Sequence, residues 1–415
     1  MTRNLPGNLP VRANRIAEDI DALAGITEPD KPWTRRAFTP MFLKGRDYLT
    51  RRFEQAGLET RIDAAGNLIG IRRGKVGKGT IMLGSHSDTV PNGGRFDGIA
   101  GVVTALEVAR ALNDTGIELD HDLHIVDFLA EEVSIFGVSC IGSRGMLGLR
   151  PPEWLERQVD GVTLADGIRS VGGDPAVIGS RDDIKAFLEL HIEQGPILEN
   201  EKIDIGVVTA ISGITRIEIL VEGRADHAGT TPMGSRLDAL SAASHLVLGI
   251  ERIAIGLSRG PSHFAATVGE FSMEPNAANV VPSHVRMLID ARAIDPAVME
   301  TFSDAVSALC ADVASKSGVK IAEPRRISNN PPSLMSDKVV TLLEESTSGL
   351  GSTSRRMVSG AGHDAAYLSR VAPAAMVFIS CREGRSHTAE EWAENDDIAL
   401  GAAVLYETVL KLDQQ

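Results

Sequence analysis

The stretch that most limits the fold is Gly84-Ser85-His86-Ser87-Asp88-Thr89-Val90-Pro91-Asn92-Gly93-Gly94-Arg95-Phe96-Asp97-Gly98. It follows the apolar run Ile81-Met82-Leu83 and leads into a helical pattern from Ile99. A strand that ends in a glycine-laced loop and then enters a helix predicts an open α/β sheet with its ligand site at the strand's C-terminal edge. His86 and Asp97 suit a divalent metal ion, and Asp88 is spaced to orient His86 from behind. A solvated loop around a structural histidine is the plain alternative. Two aspartates and several glycines about one histidine weigh against it.

The pattern recurs along the chain. Residues 123–129, Leu-His-Ile-Val-Asp-Phe-Leu, read as a strand leading through Ala130 to Glu131-Glu132. Adjacent carboxylates at a strand end point different ways, so one can hold a metal while its neighbour handles protons. A strand at 186–190 delivers His191 within Glu189-Leu190-His191-Ile192-Glu193-Gln194-Gly195-Pro196, and a strand at 375–379 precedes His387. Around these, helices are expected over 10–24, 38–57, 99–113, 339–345 and 397–412, with mixed loop and helix over 150–184. Short strands at 59–62 and 68–71 flank the turn Ala65-Gly66-Asn67. Residues 74–80 faintly resemble a phosphate loop, but glycine stands where Ser/Thr should follow the lysine; they read as a hairpin turn.

From about Gly213 the pattern changes. Strands at 214–221, 265–271, 285–291 and 319–322 alternate with helices at 237–255 and 299–314 in the order β-α-β-β-α-β, the split-βαβ signature. The expected organisation is therefore an α/β domain, 1–212 and 327–415, with a central, mostly parallel sheet, interrupted by an α+β, ferredoxin-like domain at 213–326. The loop Gly223-Arg224-Ala225-Asp226-His227-Ala228-Gly229-Thr230-Thr231-Pro232-Met233 lies in the insert. On its own it reads as a helix entry capped by Thr230 or Thr231. Arg292 reads equally as a substrate fork or as a salt bridge to Asp290.

Composition excludes several partners. A net charge of -14 with no basic block argues against nucleic acid. The sequence shows no apolar run approaching the ~18 residues of a membrane span, and the opening Met1-Thr2-Arg3-Asn4-Leu5-Pro6 reads as no signal peptide. Three widely spaced cysteines, Cys140, Cys310 and Cys381, predict reduced thiols in a cytoplasmic protein.

Taken together, these strings resemble the amidase branch of the dinuclear aminoacylase/carboxypeptidase superfamily, which includes N-carbamoyl-L-amino acid hydrolases, β-ureidopropionases and allantoate amidohydrolases. The motifs are the His86–Gly98 stretch, Glu131-Glu132, His191-Ile192-Glu193-Gln194-Gly195-Pro196, Ala225-Asp226-His227-Ala228-Gly229-Thr230-Thr231-Pro232-Met233 and Gly384-Arg385-Ser386-His387. The resemblance implies two divalent ions (zinc, manganese, cobalt or nickel) bridged by Asp97. His86 and His191 would complete one site, Glu132 and His387 the other. Glu131 would be the general base and Asp88 the orienter of His86. Gln194, Asn279, Arg292, Gly360 and Gly362 would contact a small carboxylate-bearing substrate. The insert would be a lid and dimerisation domain, with His227 acting across a homodimer. The implied reaction is hydrolysis of a linear amide, most simply an N-carbamoyl or ureido acid.

One departure stands out. The family usually reads Glu-Glu-Gly-Ser-Arg-Phe, whereas this chain reads Glu131-Glu132-Val133-Ser134-Ile135-Phe136. Val133 and Ile135 predict a more apolar pocket, which would favour an N-acyl amino acid as the alternative substrate. A non-catalytic relative should have lost the base or a ligand, and this chain keeps all of them. A serine hydrolase built on Gly137-Val138-Ser139-Cys140-Ile141-Gly142 is a weaker option, since that string only approximates a nucleophile elbow. His121, His124, His245, His263 and His284 read as packing or surface residues; His363 reads as either support or substrate contact.

Overall fold

The computed structural model describes residues 9–415; the reading of Met1–Pro6 as no signal peptide lies outside the described residues. The chain divides into two compact units, one running to Thr209 and resuming over Leu334–Gln415, the other spanning Ala210–Ser333.

The first unit opens with helices α1 (Ala13–Ala24) and α2 (Pro40–Gln55). Pro40 presets the first turn of α2, and the Thr39 hydroxyl accepts the Phe42 N–H at 3.3 Å. Strands β1 (Glu59–Ile62) and β2 (Leu68–Arg72) pair as a hairpin around Gly66. Next come β3 (Thr80–His86), α3 (Ile99–Asp114), β4 (Asp122–Phe128), β5 (Ile184–Ile192) and β6 (Ile205–Ile211). The second unit holds β7 (Gly213–Glu222), α4 (Ala239–Ser258), β8 (Phe264–Glu274), β9 (His284–Ala293), α5 (Pro296–Ser317), β10 (Lys320–Ile321) and β11 (Arg325–Asn330). The chain then rejoins the first sheet through β12 (Ser333–Leu334), α6 (Asp337–Gly349), β13 (Ser354–Ser359), β14 (Ala374–Ile379) and α7 (Asn395–Asp413).

The large sheet runs β1-β2-β4-β3-β5-β14-β6-β12, with β13 also pairing β6. β4, β3, β5 and β14 are parallel neighbours, whereas β1–β2, β2–β4 and β14–β6 are antiparallel. The sheet is therefore mixed, not mostly parallel. Parallel order survives only at the centre, where long crossovers such as α3 allow it, and the short β1–β2 turn enforces the opposite sense. Residues 74–80 turn but close no hairpin, because β4 lies between β2 and β3. Instead, the Lys75 and Gly77 N–H groups donate to the Leu119 and Asp120 carbonyls.

Every residue of β3 is buried, as expected of a strand covered on both faces. α3 lies so close to it that a Cβ at Gly101 would meet Ser85 Cβ at 2.6 Å, and the Leu190 carbonyl oxygen of β5 at 2.3 Å. The buried Asp127 of β4 takes the Ser87 hydroxyl at 2.9 Å and pairs with Arg46 Nε at 2.5 Å, binding α2 to the root of the loop after β3. Arg35, also buried, donates to the Ser87 carbonyl from beneath at 2.9 Å. These bonds fix where the loop carrying Asp88 and Asp97 begins.

In the second unit the sheet order is β8-β9-β7-β10, with β11 pairing β7 beside β10. Together with the chain order β7-α4-β8-β9-α5-β10, this is the split-βαβ arrangement. Ile217, Ile219, Met287 and Ile289 point from the sheet into a core closed by Leu246 of α4 and Phe302 of α5. The boundary expected at 326 cuts through β11, an added edge strand. α4 is the one helix among the described residues long and apolar enough for a membrane span, against the expectation of none. Its Ala242, Leu246 and Ile250 are buried in this core.

Two consequences concern stability. Phe302 is fully buried with its ring 5.0 Å from that of Phe264, so Phe302→Ala should cost about 3–5 kcal/mol in urea unfolding; an unchanged midpoint would contradict this core. Burial, aided by the nearby Arg181, lowers the His124 imidazole to about 4. Between its ordinary value and that one, only the unfolded chain takes the proton, so stability falls as pH drops through this window. His124→Gln should flatten the loss between about pH 6.5 and about pH 4, read as urea midpoints at each pH.

Candidate metal centre

The side chains of the first unit converge on the carboxylate of Asp97. Its Oδ1 lies 3.1 Å from His191 Nε2 and 3.6 Å from His86 Nε2. Its Oδ2 lies 3.0 Å from His387 Nε2, which is itself 3.1 Å from Glu132 Oε1. Two donor sets result, His86–Asp97–His191 and Asp97–Glu132–His387, each with its ligand atoms within 4.8 Å of one another.

The backbone explains why the imidazoles face inward. His86 ends β3 with Nδ1 3.0 Å from the Asp88 carbonyl oxygen, and His191 on β5 has Nδ1 2.9 Å from that of Ile192. A carbonyl only accepts, so each Nδ1 keeps its proton and Nε2 presents a lone pair. The Gly98 N–H donates to His191 Nε2 at 3.2 Å, in keeping with that tautomer. Gly98 has φ +67°, and a Cβ there would fall 2.4 Å from the His86 ring. Glycine meets both demands.

The donor set fits a divalent cation. Imidazole nitrogens facing a carboxylate across about 3 Å need positive charge, a proton or a cation, between them, and the carboxyl groups of Asp88, Glu131, Glu189 and Asp364 are buried around them. Burial opposes charge on His86 and His191, yet Glu131 and Asp88 around the first and Asp97 beside the second raise both. Hydrogen bonds to Asp97 and Glu132 lift His387 to about 11. Asp97, despite burial, is held well below the usual carboxylate range by His191, His387 and His86. Imidazole and carboxylate donors of this kind suit zinc and its neighbours in the first transition row.

Glu131 and Glu132 follow Ala130, whose φ of +52° turns the chain sharply at the end of β4. Their N–H groups donate to Asp88 Oδ1 at 3.2 Å and Oδ2 at 3.3 Å. Asp88 therefore serves two neighbours, His86 and the glutamate pair. Its carbonyl, not its carboxylate, makes the short contact to His86, with the nearer carboxylate oxygen at 3.5 Å; the carboxylate is committed to the glutamate pair. Glu132 turns to His387, while Glu131 Oε2 lies 3.6 Å from His86 Nε2. Burial drives the Glu131 carboxyl well above the ordinary range; His86 opposes this, and Glu132, Asp364 and Asp88 add to it.

The remaining residues fall in separate places. Gln194, at φ +56°, donates Nε2 to Asp97 Oδ2 at 2.9 Å, and its buried Oε1 has no hydrogen-bond partner among the described residues. Gly360 and Gly362 line the loop after β13 that ends in His363, whose ring packs edge-on against that of His191 at 4.5 Å. In the second unit, the Ala228 N–H donates to the Asn279 carbonyl at 3.0 Å, so the His227 loop and Asn279 are neighbours. Both lie past the His284 end of β9, whereas Arg292 is near the other end, donating Nε to Asp290 at 2.8 Å. Ile135 packs against the cluster of Phe42, Phe136 and Leu164, leaving Val133, 53% exposed, as the open apolar side chain of that stretch. The elbow reading also fails: Cys140, not Ser139, has the left-handed backbone, and its thiol donates to Glu131 Oε1 at 3.5 Å. Sequence reading does not single out Cys140, Ser386 or Glu391 for this cluster. The only local clue is the nearness of the last two to His387.

Comparison with known proteins agrees with this geometry. The profile of peptidase family M20/M25/M40 matches residues 82–411. The N-carbamoyl-L-amino-acid amidohydrolase of Paenarthrobacter aurescens is 38% identical over 410 residues, covering 97% of this chain and 98% of that protein. The ureidoglycolate hydrolase of Oryza sativa subsp. japonica is 36% identical over 416 residues, covering 98% and 86%. The crystal structure of an amidase of the hydantoinase/carbamoylase family from Burkholderia multivorans superposes with a TM-score of 0.90 at 37% identity, covering 99% of this chain and 100% of that one. The chain belongs to peptidase family M20/M25/M40, within its hydantoinase/carbamoylase amidase branch.

Proposed function

We propose that this chain hydrolyses a linear carbon–nitrogen bond in a small N-carbamoyl or ureido acid, with two divalent cations held by the two donor sets. The observation that carries the reading is the single carboxylate, Asp97, facing His86 and His191 with one oxygen and His387 with the other. The relatives named above for N-carbamoyl-L-amino acids and for ureidoglycolate supply the substrate class. When bound, such cations acidify water and polarise a carbonyl oxygen. Zinc, manganese, cobalt and nickel all accept these ligands.

The chain's own residues supply the rest. Glu131, buried with Oε2 3.6 Å from His86 Nε2, is placed to take a proton from the attacking water and return it to the departing nitrogen. Asp88 fixes the peptide that carries it. His227 Nδ1 accepts the Gly229 and Thr230 N–H groups at 3.0 and 3.2 Å, so its proton sits on Nε2, ready to donate to a developing oxyanion. Arg292 offers a planar fork for the substrate carboxylate. Gln194, Asn279, Gly360 and Gly362 are further substrate contacts. An N-carbamoyl amino acid would yield the amino acid, carbon dioxide and ammonia.

The second unit acts as a lid and dimerisation domain in a homodimer. Arg292 is eight residues along β9 from His284, a span of roughly 26 Å. His227 and Asn279 lie past the His284 end, so one small substrate cannot reach both ends within one copy. Two copies resolve this, one supplying His227 and the other Arg292. The edge strand β8, paired among the described residues only with β9, and the exposed Leu248 and Ile255 of α4 are surfaces a second copy could cover. Three free, buried cysteines suit the cytoplasm.

A panel of N-carbamoyl amino acids, ureidoglycolate, allantoate, β-ureidopropionate and N-acyl amino acids, read as ammonia against carboxylic acid release, tests the substrate class. No turnover of any ureido or carbamoyl acid by metal-loaded protein would overturn it. Glu131→Gln should keep its metal content and lose about 10²–10⁴-fold in kcat; wild-type turnover would remove Glu131 as the base. His227→Ala and Arg292→Ala should each be nearly inactive alone. Dissociated and reassociated together, they should recover about a quarter of wild-type activity, because half the dimers then carry one intact site. No recovery would place both residues in the same copy's site.

A further inference from the structure

Half of the candidate centre rests on strands and half on a loop. His86 and His191 lie at the ends of β3 and β5, each braced through Nδ1. His387 sits in the segment between β14 and α7, is 48% exposed and has φ +55°. What ties this loop to Asp97 is Glu391, four residues further on and 1% exposed. Its Oε1 accepts the N–H groups of Phe96 at 2.8 Å and Asp97 at 3.0 Å, and its Oε2 accepts the Ser386 hydroxyl at 2.8 Å. Ser386 Oγ lies 3.1 Å from Asp97 Oδ2 and receives Gln194 Nε2 at 3.1 Å. One buried carboxylate therefore holds both the backbone of Asp97 and the residue preceding His387.

The fit is close. A Cβ at Gly94 would fall 1.9 Å from the Glu391 carboxylate. Outside it, Trp392 packs edge-on to Phe96 at 5.5 Å, and Arg95 lies 5.0 Å from the Trp33 ring centroid and 5.4 Å from that of Trp392. Burial, with the Asp97 charge next to it, raises Glu391 to about 7. A carboxylate placed at such a disadvantage needs compensating bonds, and those bonds join the two loops.

We propose that Glu391, acting with Ser386, is a positioning residue for the loop-borne donor set, fixing the approach of His387 to Asp97 and so the hold on the cation that Asp97, Glu132 and His387 share. It touches neither substrate nor cation. The inference rests on the two-cation reading above. Asp97 serves both sets, but His86 and His191 have their own anchors, so removing Glu391 acts most strongly on the ion that His387 holds.

The test strips the full-length protein with a chelator and titrates it with Zn2+ or Mn2+ against a chromophoric competitor, alongside thermal unfolding of the metal-free protein. Glu391→Ala should weaken one binding step by about 10- to 100-fold and leave the other within about threefold. Glu391→Gln, whose amide oxygen still accepts the Phe96 and Asp97 N–H groups, should recover most of that loss. Ser386→Ala keeps those two bonds and should weaken the same step by less, which tests the idea even if Glu391→Ala does not fold. Unchanged affinities in the folded variants overturn the proposal, as does parallel weakening of both steps together with the thermal stability of the metal-free protein. A wild-type protein that binds fewer than two ions overturns the two-cation reading instead.

Discussion

The centre depends on one electrostatic constraint: a buried carboxylate, Asp97, that three imidazoles must reach at once. An isolated carboxylate at that depth would protonate, since removal from water disfavours its charge. Here the reverse holds: the imidazoles keep it ionised, and the Gln194 amide and Ser386 hydroxyl lie against its Oδ2. That requirement explains why so much of the surrounding chain is committed to fixed bonds. Imidazoles able to rotate would leave the negative charge unopposed. The carbonyls of Asp88 and Ile192 prevent that rotation, and Gly98 makes the room.

The scaffold meets the constraint in two ways. Parallel strands at the sheet centre fix His86 and His191 by register, because β5 and β3 are direct neighbours and a slip of one residue would turn an imidazole to the opposite face. Away from the sheet, the chain relies on strained turns. Ala130, Gln194 and His387 all adopt left-handed backbone angles without being glycine, a conformation retained where surrounding bonds over-determine it. Each is a site residue or directly precedes one.

Much of this was legible in the sequence, and the misses share a physical cause. His86, Asp97, Glu131, Glu132, His191 and His387 stood out because each follows an apolar run within a short, glycine-bearing loop, a local pattern. The split-βαβ order of the second unit was equally local. β11 was missed because Arg325-Arg326-Ile327-Ser328-Asn329-Asn330 lies almost wholly exposed at an edge and lacks apolar alternation. Strand sense in the large sheet depends on which strands neighbour each other, and no window of sequence contains that. Glu391 was hidden because the N–H it accepts from Asp97 belongs to a residue 294 positions away. That Asp88 would meet His86 chiefly through its carbonyl was not legible, because residue type cannot distinguish a carbonyl contact from a carboxylate one.

The grip of Asp88 on two successive amides has a wider meaning. One carboxylate pins the Glu131 and Glu132 N–H groups together, and the two side chains leave the chain a single peptide unit apart, a covalent length that selection cannot adjust. Relatives that share this chain's architecture yet are named for different compounds must diverge elsewhere. In this chain the free variables are the exposed stretch just past Glu132, where Val133 stands, and the surfaces of the second unit. The spacing of the glutamate pair is closed to adjustment, while the margins of the stretch stay open to it.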